Sequence, residues 1–202
     1  MSENGTKYIF PTPIYISNIG RSFTNQELSA IEVFEKDSTF YQSNAFSNNK
    51  FVLNDKNLSF LKQNCEEHMS TFILNDLSIA DVQPYITQSW VTISGINGYQ
   101  YEHYHPNSLF SGIIYVSGSE EDFTVFRRPK FTPQIQLRTS SQASENSDLF
   151  RVNLEIGKIV IFPSHLYHLV PKVFSEKRVV IAFNIFVKGE LGSESTVDYL
   201  SL

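Results

Sequence analysis

Hydrophobic positions along this chain recur with two different periods, and the change falls near residue 82. Before it the spacing is helical. Thr24 and Glu27 have the arrangement of a capping box, and Leu28, Ile31 and Phe34 follow at three-residue steps, which predicts a helix with those three on its apolar face. Leu58, Leu61, Cys65, Met69 and Phe72 recur at three- and four-residue steps and predict a longer helix from about residue 55, with one buried stripe. His68 lies beside that stripe and reads as a helix-surface or packing histidine. Residues 7–16 form an apolar, aromatic run interrupted by Pro11 and Pro13, which suits an edge strand. Residues 40–51 show no period and predict a loop.

From residue 82 onward the chain reads as short strands separated by turn signals, at about 83–94, 99–105, 109–116, 122–127, 149–154, 158–162, 166–170 and 178–187. Eight strands of this length predict a mainly β fold with flanking helices. The expected core is a double-stranded β-helix, jelly-roll or cupin-like, with the two N-terminal helices packed on one sheet. The expected organisation is one domain over 1–202: helical support over 1–81, a core over 82–188 and a C-terminal tail over 189–202. The polar stretch between Pro129 and Asp148 reads as a mobile surface loop or a lid.

Composition narrows this picture. A hydrophobic share of 41% and a charged share of 18% describe a folded globular chain, and 17 Phe with 10 Tyr suit a pleated, half-buried surface. A net charge of −5 without a basic run argues against nucleic acid as a partner. Cys65 is the only cysteine, so no internal disulfide is expected and a reducing compartment fits. No apolar run reaches membrane-spanning length and no leader pattern opens the chain, so the expectation is a cytoplasmic protein with no membrane contact. Oligomeric state is left open by the pattern.

The candidate chemistry sits in histidines. Four of the five lie in two short blocks, as His103 and His105 and as His165 and His168. On an extended strand His103 and His105 point to one side while Glu102 and Tyr104 point to the other. A third imidazole from a distant strand would complete a facial set of three ligands with open positions, an arrangement suited to non-heme Fe(II). The usual set has two histidines and a carboxylate, and His105 departs from it. His165 reads as a loop residue, Trp90 as a core residue, and Arg127 and Arg128 as a solvated edge in preference to a substrate contact. On the last strand Arg178, Val180, Ala182 and Asn184 share one face, and Val179, Ile181, Phe183 and Ile185 share the other, which is wholly apolar. An arginine closing an apolar cavity requires an anion, because an unpaired buried charge is costly, and a carboxylate fits it in two-pronged fashion.

His103-Tyr104-His105, then Ser111 to Val116, Gly157 to Pro163, His168 and Arg178, in this order and spacing, resemble an Fe(II)/2-oxoglutarate-dependent oxygenase over roughly residues 85–187. The group most similar is that of the prolyl-hydroxylase-like oxygenases, which includes members carried by phages, and the run from Ile9 to Ile14 resembles its opening. The resemblance implies Fe(II), 2-oxoglutarate and O2, with decarboxylation of 2-oxoglutarate to succinate coupled to hydroxylation. It implies His103 as the first metal ligand, His105 where the family has Asp, and His168 as the distal ligand. It also implies Arg178 and Tyr115 on the distal carboxylate of 2-oxoglutarate, and Asn184 in contact with cosubstrate or product. A second register has His105 as first ligand with Asn107 in the Asp position. The implied partner is a small amino-acid-like molecule or a protein side chain such as prolyl, in the cytoplasm (a host's, for a phage-encoded chain). Two other readings remain: a jelly-roll metal-binding or structural domain of a virion or scaffold, and a cupin-like three-histidine dioxygenase that uses no 2-oxoglutarate.

Overall fold

A computed structural model describes residues 11–128, 138, 140, 141 and 146–202. The candidate lid lies almost wholly outside the described residues, as does the start of the run at 7–16.

Helix α1 spans Asn25–Lys36 and opens on the expected capping box, with Thr24 Oγ1 accepting from the Glu27 N–H at 3.2 Å and Glu27 accepting from the Thr24 N–H at 2.8 Å. Arg21 grips the same carboxylate through both terminal nitrogens, at 2.8 and 2.6 Å. Burial alone would raise the Glu27 pKa, but these bonds hold it below its ordinary value. Drawing Glu27 inward turns the helix face by one residue from the expected one. The buried positions are Glu27, Ala30, Ile31 and Phe34, and Leu28 is exposed. Helix α2 spans Ser59–Ser70, follows a 3₁₀ turn at Lys56–Leu58 and runs into a π-helical turn at Thr71–Asp76. Its predicted stripe of Leu58, Leu61, Cys65, Met69 and Phe72 is buried, and His68 packs by accepting from or donating to Tyr15 Oη through Nδ1 at 2.8 Å.

Twelve strands are formed by the described residues: β1 Tyr15–Asn18, β2 Ser38–Tyr41, β3 Asn44–Ser47, β4 Val82–Gly95, β5 Gln100–His103, β6 Phe110–Ser117, β7 Phe123–Arg127, β8 Leu149–Asn153, β9 Lys158–Pro163, β10 His168–Val170, β11 Lys177–Leu191 and β12 Leu200–Ser201. The larger sheet has the order β1-β9-β6-β11-β4-β3-β2, with β12 also on β11, and the smaller has β5-β10-β7-β8. The ladders are antiparallel. The eight strands from β4 to β11 divide four and four between the sheets, which is the expected jelly-roll core.

The alternation on β11 divides the interior in two. Val179, Ile181, Phe183 and Ile185 pack with α1 and α2 on the outer face of the larger sheet. Val180 packs between the sheets with Ile113, Tyr115, Phe126 and Phe162. Gly112 on β6 makes the outer packing possible, since a Cβ there would overlap the Phe183 ring.

Three expectations are corrected. Residues 40–51 are not a loop. β2 and β3 form a hairpin at the end of the larger sheet, turning at Gln42 with φ 57°, and β2 shows no alternation because Phe40 and Tyr41 are both exposed at that edge. In the described part of the run at 7–16, strand is formed only from Tyr15, beyond Pro11 and Pro13, which cannot donate to a ladder. The tail expected from 189 is partly sheet, because β11 continues to Leu191 and pairs with β12. Among the described residues no helix is long and apolar enough to cross a membrane.

Candidate metal centre

His103 is the last residue of β5 and His168 the first of β10, and the antiparallel ladder sets the two directly opposite each other. Cross-strand neighbours have Cβ atoms about 4.5–5.5 Å apart, and these two rings lie with centroids 4.2 Å apart. His105 lies beyond the end of β5, unlike the expected strand to 105. Its backbone N–H bonds to the Ser164 carbonyl at 2.9 Å, clipping the His-x-His segment to the turn that leads into His168. The His105 ring stands 5.3 Å from that of His103 and 5.1 Å from that of His168, centroid to centroid. One nitrogen from each of the three comes within 4.8 Å of the others.

Hydrogen bonds decide which nitrogen each ring offers. His103 Nδ1 meets the Tyr101 carbonyl at 2.8 Å and His168 Nδ1 meets the Leu166 carbonyl at 3.1 Å. A carbonyl only accepts, so both Nδ1 atoms carry the proton and both Nε2 atoms keep a lone pair. His105 Nδ1 lies 2.8 Å from Asn184 Oδ1 and 2.8 Å from Ser111 Oγ, which sets the same tautomer. Burial lowers the pKa of all three; repulsion from His103 adds to it at His105, and repulsion from His103 and His105 adds to it at His168. For His105 the result is about 4. Three neutral imidazoles with a nitrogen of each so close together suit a divalent metal, because imidazole ligates in its neutral form, and the lone pair of His103 Nε2 meanwhile accepts from the Gln100 amide at 3.2 Å.

The remaining polar neighbours lie elsewhere. Glu102 turns out of the cluster and pairs with Arg127, so that arginine is held in an ion pair rather than simply solvated. Tyr104 points outward against Tyr167, with centroids 5.2 Å apart, and His165 is exposed. Asn107 occupies a left-handed turn position, φ 58°, beside the same cavity as His105. Trp90, expected in the core, is half-buried with its ring 5.7 Å from that of His105. It lines an open cavity of ≈ 500 Å³ together with Thr87, Gln88, His105, Pro106, Asn107 and Asn184.

Deeper in the barrel Arg178 is 1% exposed. Its Nη2 makes one long bond of 3.4 Å to Thr124 Oγ1, its Cζ stands 5.5 Å from the Tyr115 ring centroid, and its Nε has no hydrogen-bond partner. The Tyr115 hydroxyl donates to the same Thr124 Oγ1 at 2.8 Å. Among the described residues no carboxylate lies within ion-pair distance of Arg178. Burial lowers the Arg178 pKa against the pull of Tyr115 and Asp122, and burial raises that of Tyr115. Asp122 is spent on the Ser119, Phe174 and Ser175 N–H groups and the Ser175 hydroxyl; burial opposes its ionisation, and these donors hold its pKa below the ordinary value. On β7 Phe126 faces His168 across the ladder and Thr124 lies two residues along the same face, so the two ends of the site are about 7 Å apart by strand geometry.

All six residues singled out in the sequence thus line one barrel: His103, His105, His168 and Asn184 toward its mouth, Tyr115 and Arg178 further in. The sequence reading missed Thr124, which holds the two inner groups, and Ser111 and Ser164 behind His105. Short hydroxyl side chains carry no motif of their own, and only the register of β6, β7 and β11 reveals them.

Residues 88–184 match the family described as "Putative 2OG-Fe(II) oxygenase". No curated protein sequence matches the chain. Among solved structures, a 2OG-Fe(II) oxygenase family oxidoreductase from Burkholderia pseudomallei is similar at 11% identity and TM-score 0.59, over 85% of this chain and 83% of that one. HygX from Streptomyces hygroscopicus, solved with nickel, 2-oxoglutarate and hygromycin B bound, is similar at 11% identity and TM-score 0.55, over 86% and 82%. A prolyl hydroxylase from Trichoplax adhaerens, in complex with a hypoxia inducible factor peptide fragment, is similar at 10% identity and TM-score 0.59, over 85% and 82%. At these identities the structures speak to the fold, and the match over 88–184 to the family. Over residues 88–184, 97 of the 202, the chain is thus similar to the 2OG-Fe(II) oxygenases, whose cofactors are Fe(II) and 2-oxoglutarate, and the wider likeness to solved structures is one of fold.

Proposed function

We propose that this chain is a hydroxylase in which His103, His105 and His168 hold Fe(II) and Arg178 receives the distal carboxylate of 2-oxoglutarate. The observation that carries this reading is the buried guanidinium of Arg178, short of partners, in the same barrel as three converging neutral imidazoles. A cation taken out of water without an anion is costly, and a carboxylate would satisfy it with two charge-assisted bonds. Tyr115 and Thr124 hold the same end, and a dicarboxylate of five carbons suits the ~7 Å strand offset between Thr124 and the histidines. Bound there, iron and 2-oxoglutarate would supply O2-dependent oxidation of an unactivated C–H bond, with succinate as the second product.

The protein's own part is to hold and to exclude water. The histidines bring no negative charge, so the two carboxylates of the cosubstrate would offset two of the three positive charges that the dication and Arg178 bring together. Phe126 and Phe162 flank His168, with centroids 5.9 and 4.8 Å away, and keep that side dry. Substrate would approach through the cavity walled by Trp90, Gln88 and Asn107, whose described lining has no charged side chain. That lining suits an uncharged target group, such as a prolyl or other side chain within a peptide, or the neutral part of a small amino-acid-like molecule. Relatives of this fold hold a peptide fragment in one case and hygromycin B in another. A non-catalytic jelly-roll would leave Arg178 without a task.

Purified protein reconstituted with Fe(II) under anaerobic conditions, then given 2-oxoglutarate and air, is expected to form succinate. Full metal loading without any succinate, in the presence of peptide and small-molecule candidates alike, would overturn the hydroxylase reading.

A further inference from the structure

The set of ligands proposed above consists of imidazoles alone, and an imidazole must be held in the right tautomer before it can ligate. Three strands meet behind His105 to do so. Asn184 Oδ1 on β11 accepts from His105 Nδ1 at 2.8 Å and from the Ser111 hydroxyl at 2.9 Å. Ser111 Oγ on β6 is itself 2.8 Å from His105 Nδ1 and 2.8 Å from Ser164 Oγ. The Ser164 hydroxyl has one proton for two acceptors, Ser111 Oγ and Ser108 Oγ at 2.9 Å, and Ser108 donates to the Phe110 carbonyl at 2.6 Å. Ser111 and Ser164 are fully buried. The chain of hydroxyls therefore joins the turn after His105 to the turn before His168, with the Asn184 carbonyl at its end.

We infer that Asn184 is a positioning residue rather than a contact for 2-oxoglutarate: with Ser111, its amide oxygen keeps the proton of His105 on Nδ1 and aims Nε2 at the metal. The amide orientation matters. Reversed, its N–H would face Nδ1, drive the proton to Nε2 and block the ligand. Asn184 also lines the cavity next to His105, so its backbone position at the irregularity in the β11 ladder between Asn184 and Ile185 serves both tasks. This inference rests on His105 being a ligand, as proposed above. Partners that orient a ligating histidine in this way contribute about 10- to 100-fold to metal affinity.

The test is Co(II) titration of the metal-free full chain, read by Trp90 fluorescence and by the Co(II) visible spectrum, with thermal unfolding as a check on folding. Asn184→Leu keeps the volume and removes the acceptor, and is expected to weaken Co(II) binding by about 10- to 100-fold and to alter the Co(II) bands. Asn184→Asp can only accept, and is expected to restore both. Ser111→Ala removes one hydroxyl, and supplies the same comparison if Asn184→Leu does not fold. Co(II) bound as tightly by Asn184→Leu as by the parent would overturn the inference, as would an Asn184→Asp variant no better than Asn184→Leu. His105→Ala separates the two layers. If that variant binds Co(II) as the parent does, His105 is not a ligand and the underlying reading falls; if it loses Co(II) while Asn184→Leu does not, only the positioning role falls.

Discussion

Replacing Arg178 by methionine should make the protein more stable and less able to bind its cosubstrate. The side chain is 1% exposed, with one bond at 3.4 Å and an unpartnered Nε. An unsatisfied buried polar group costs about 1–3 kcal/mol, and methionine fills a similar length without that cost. At about 2–4 °C per kcal/mol for a chain of this size, the metal-free protein should melt about 2–12 °C higher. Binding should move the other way. Two charge-assisted bonds to a carboxylate are worth about 1.5–3 kcal/mol each, so losing both should weaken 2-oxoglutarate by roughly 10²- to 10⁴-fold. The chain has one tryptophan, and Trp90 stands 5.7 Å from His105. Its fluorescence should follow metal binding, and calorimetry on Ni(II)-loaded protein should follow 2-oxoglutarate. Metal binding is expected to change little. An Arg178→Met variant that binds 2-oxoglutarate as tightly as the parent, or that melts lower, would refute the assignment of the buried guanidinium to the diacid.

Further outcomes follow from the same geometry. His168→Ala, which removes the ring 4.2 Å from His103, should abolish quenching of Trp90 by Co(II), a larger loss than the about 10- to 100-fold of an outer partner. Gly112→Ala drives a methyl into the Phe183 ring, and overpacking of that kind should cost about 1–3 kcal/mol in a urea titration. Acid should weaken the fold through Glu27 and Asp122, whose folded pKa values lie below their ordinary values. Their contribution is present above the ordinary carboxylate value of about 4 and is lost as pH falls through the depressed folded values. The urea midpoint should therefore drop as pH is lowered from 6 toward 3 (order-of-magnitude bounds set by the carboxylate range, about 3–6), and Glu27→Gln should flatten part of that slope.

Periodicity alone determined much of this protein. The helix stripes, the eight core strands and the two faces of β11 follow from which residues are apolar and how far apart they stand, because a side chain's direction repeats every 3.6 residues on a helix and every two on a strand. The His-x-His pair, His168 and Arg178 were legible for a similar reason, since few residue types can ligate a metal or hold a buried acid. What periodicity could not decide is where strands stop and what stands behind each side chain. His105 leaves the ladder and is caught by the Ser164 carbonyl, and Trp90 stands at a cavity wall because its strand faces the barrel mouth. The hairpin of β2 and β3 escaped notice because an exposed edge imposes no alternation. Leu28 was displaced from its expected face by a carboxylate already engaged at the cap. Thr124, Ser111, Ser164 and Asn184 gained their roles only when β6, β7 and β11 came into register, for hydrogen bonds between residues far apart in sequence are set by packing and not by any local pattern.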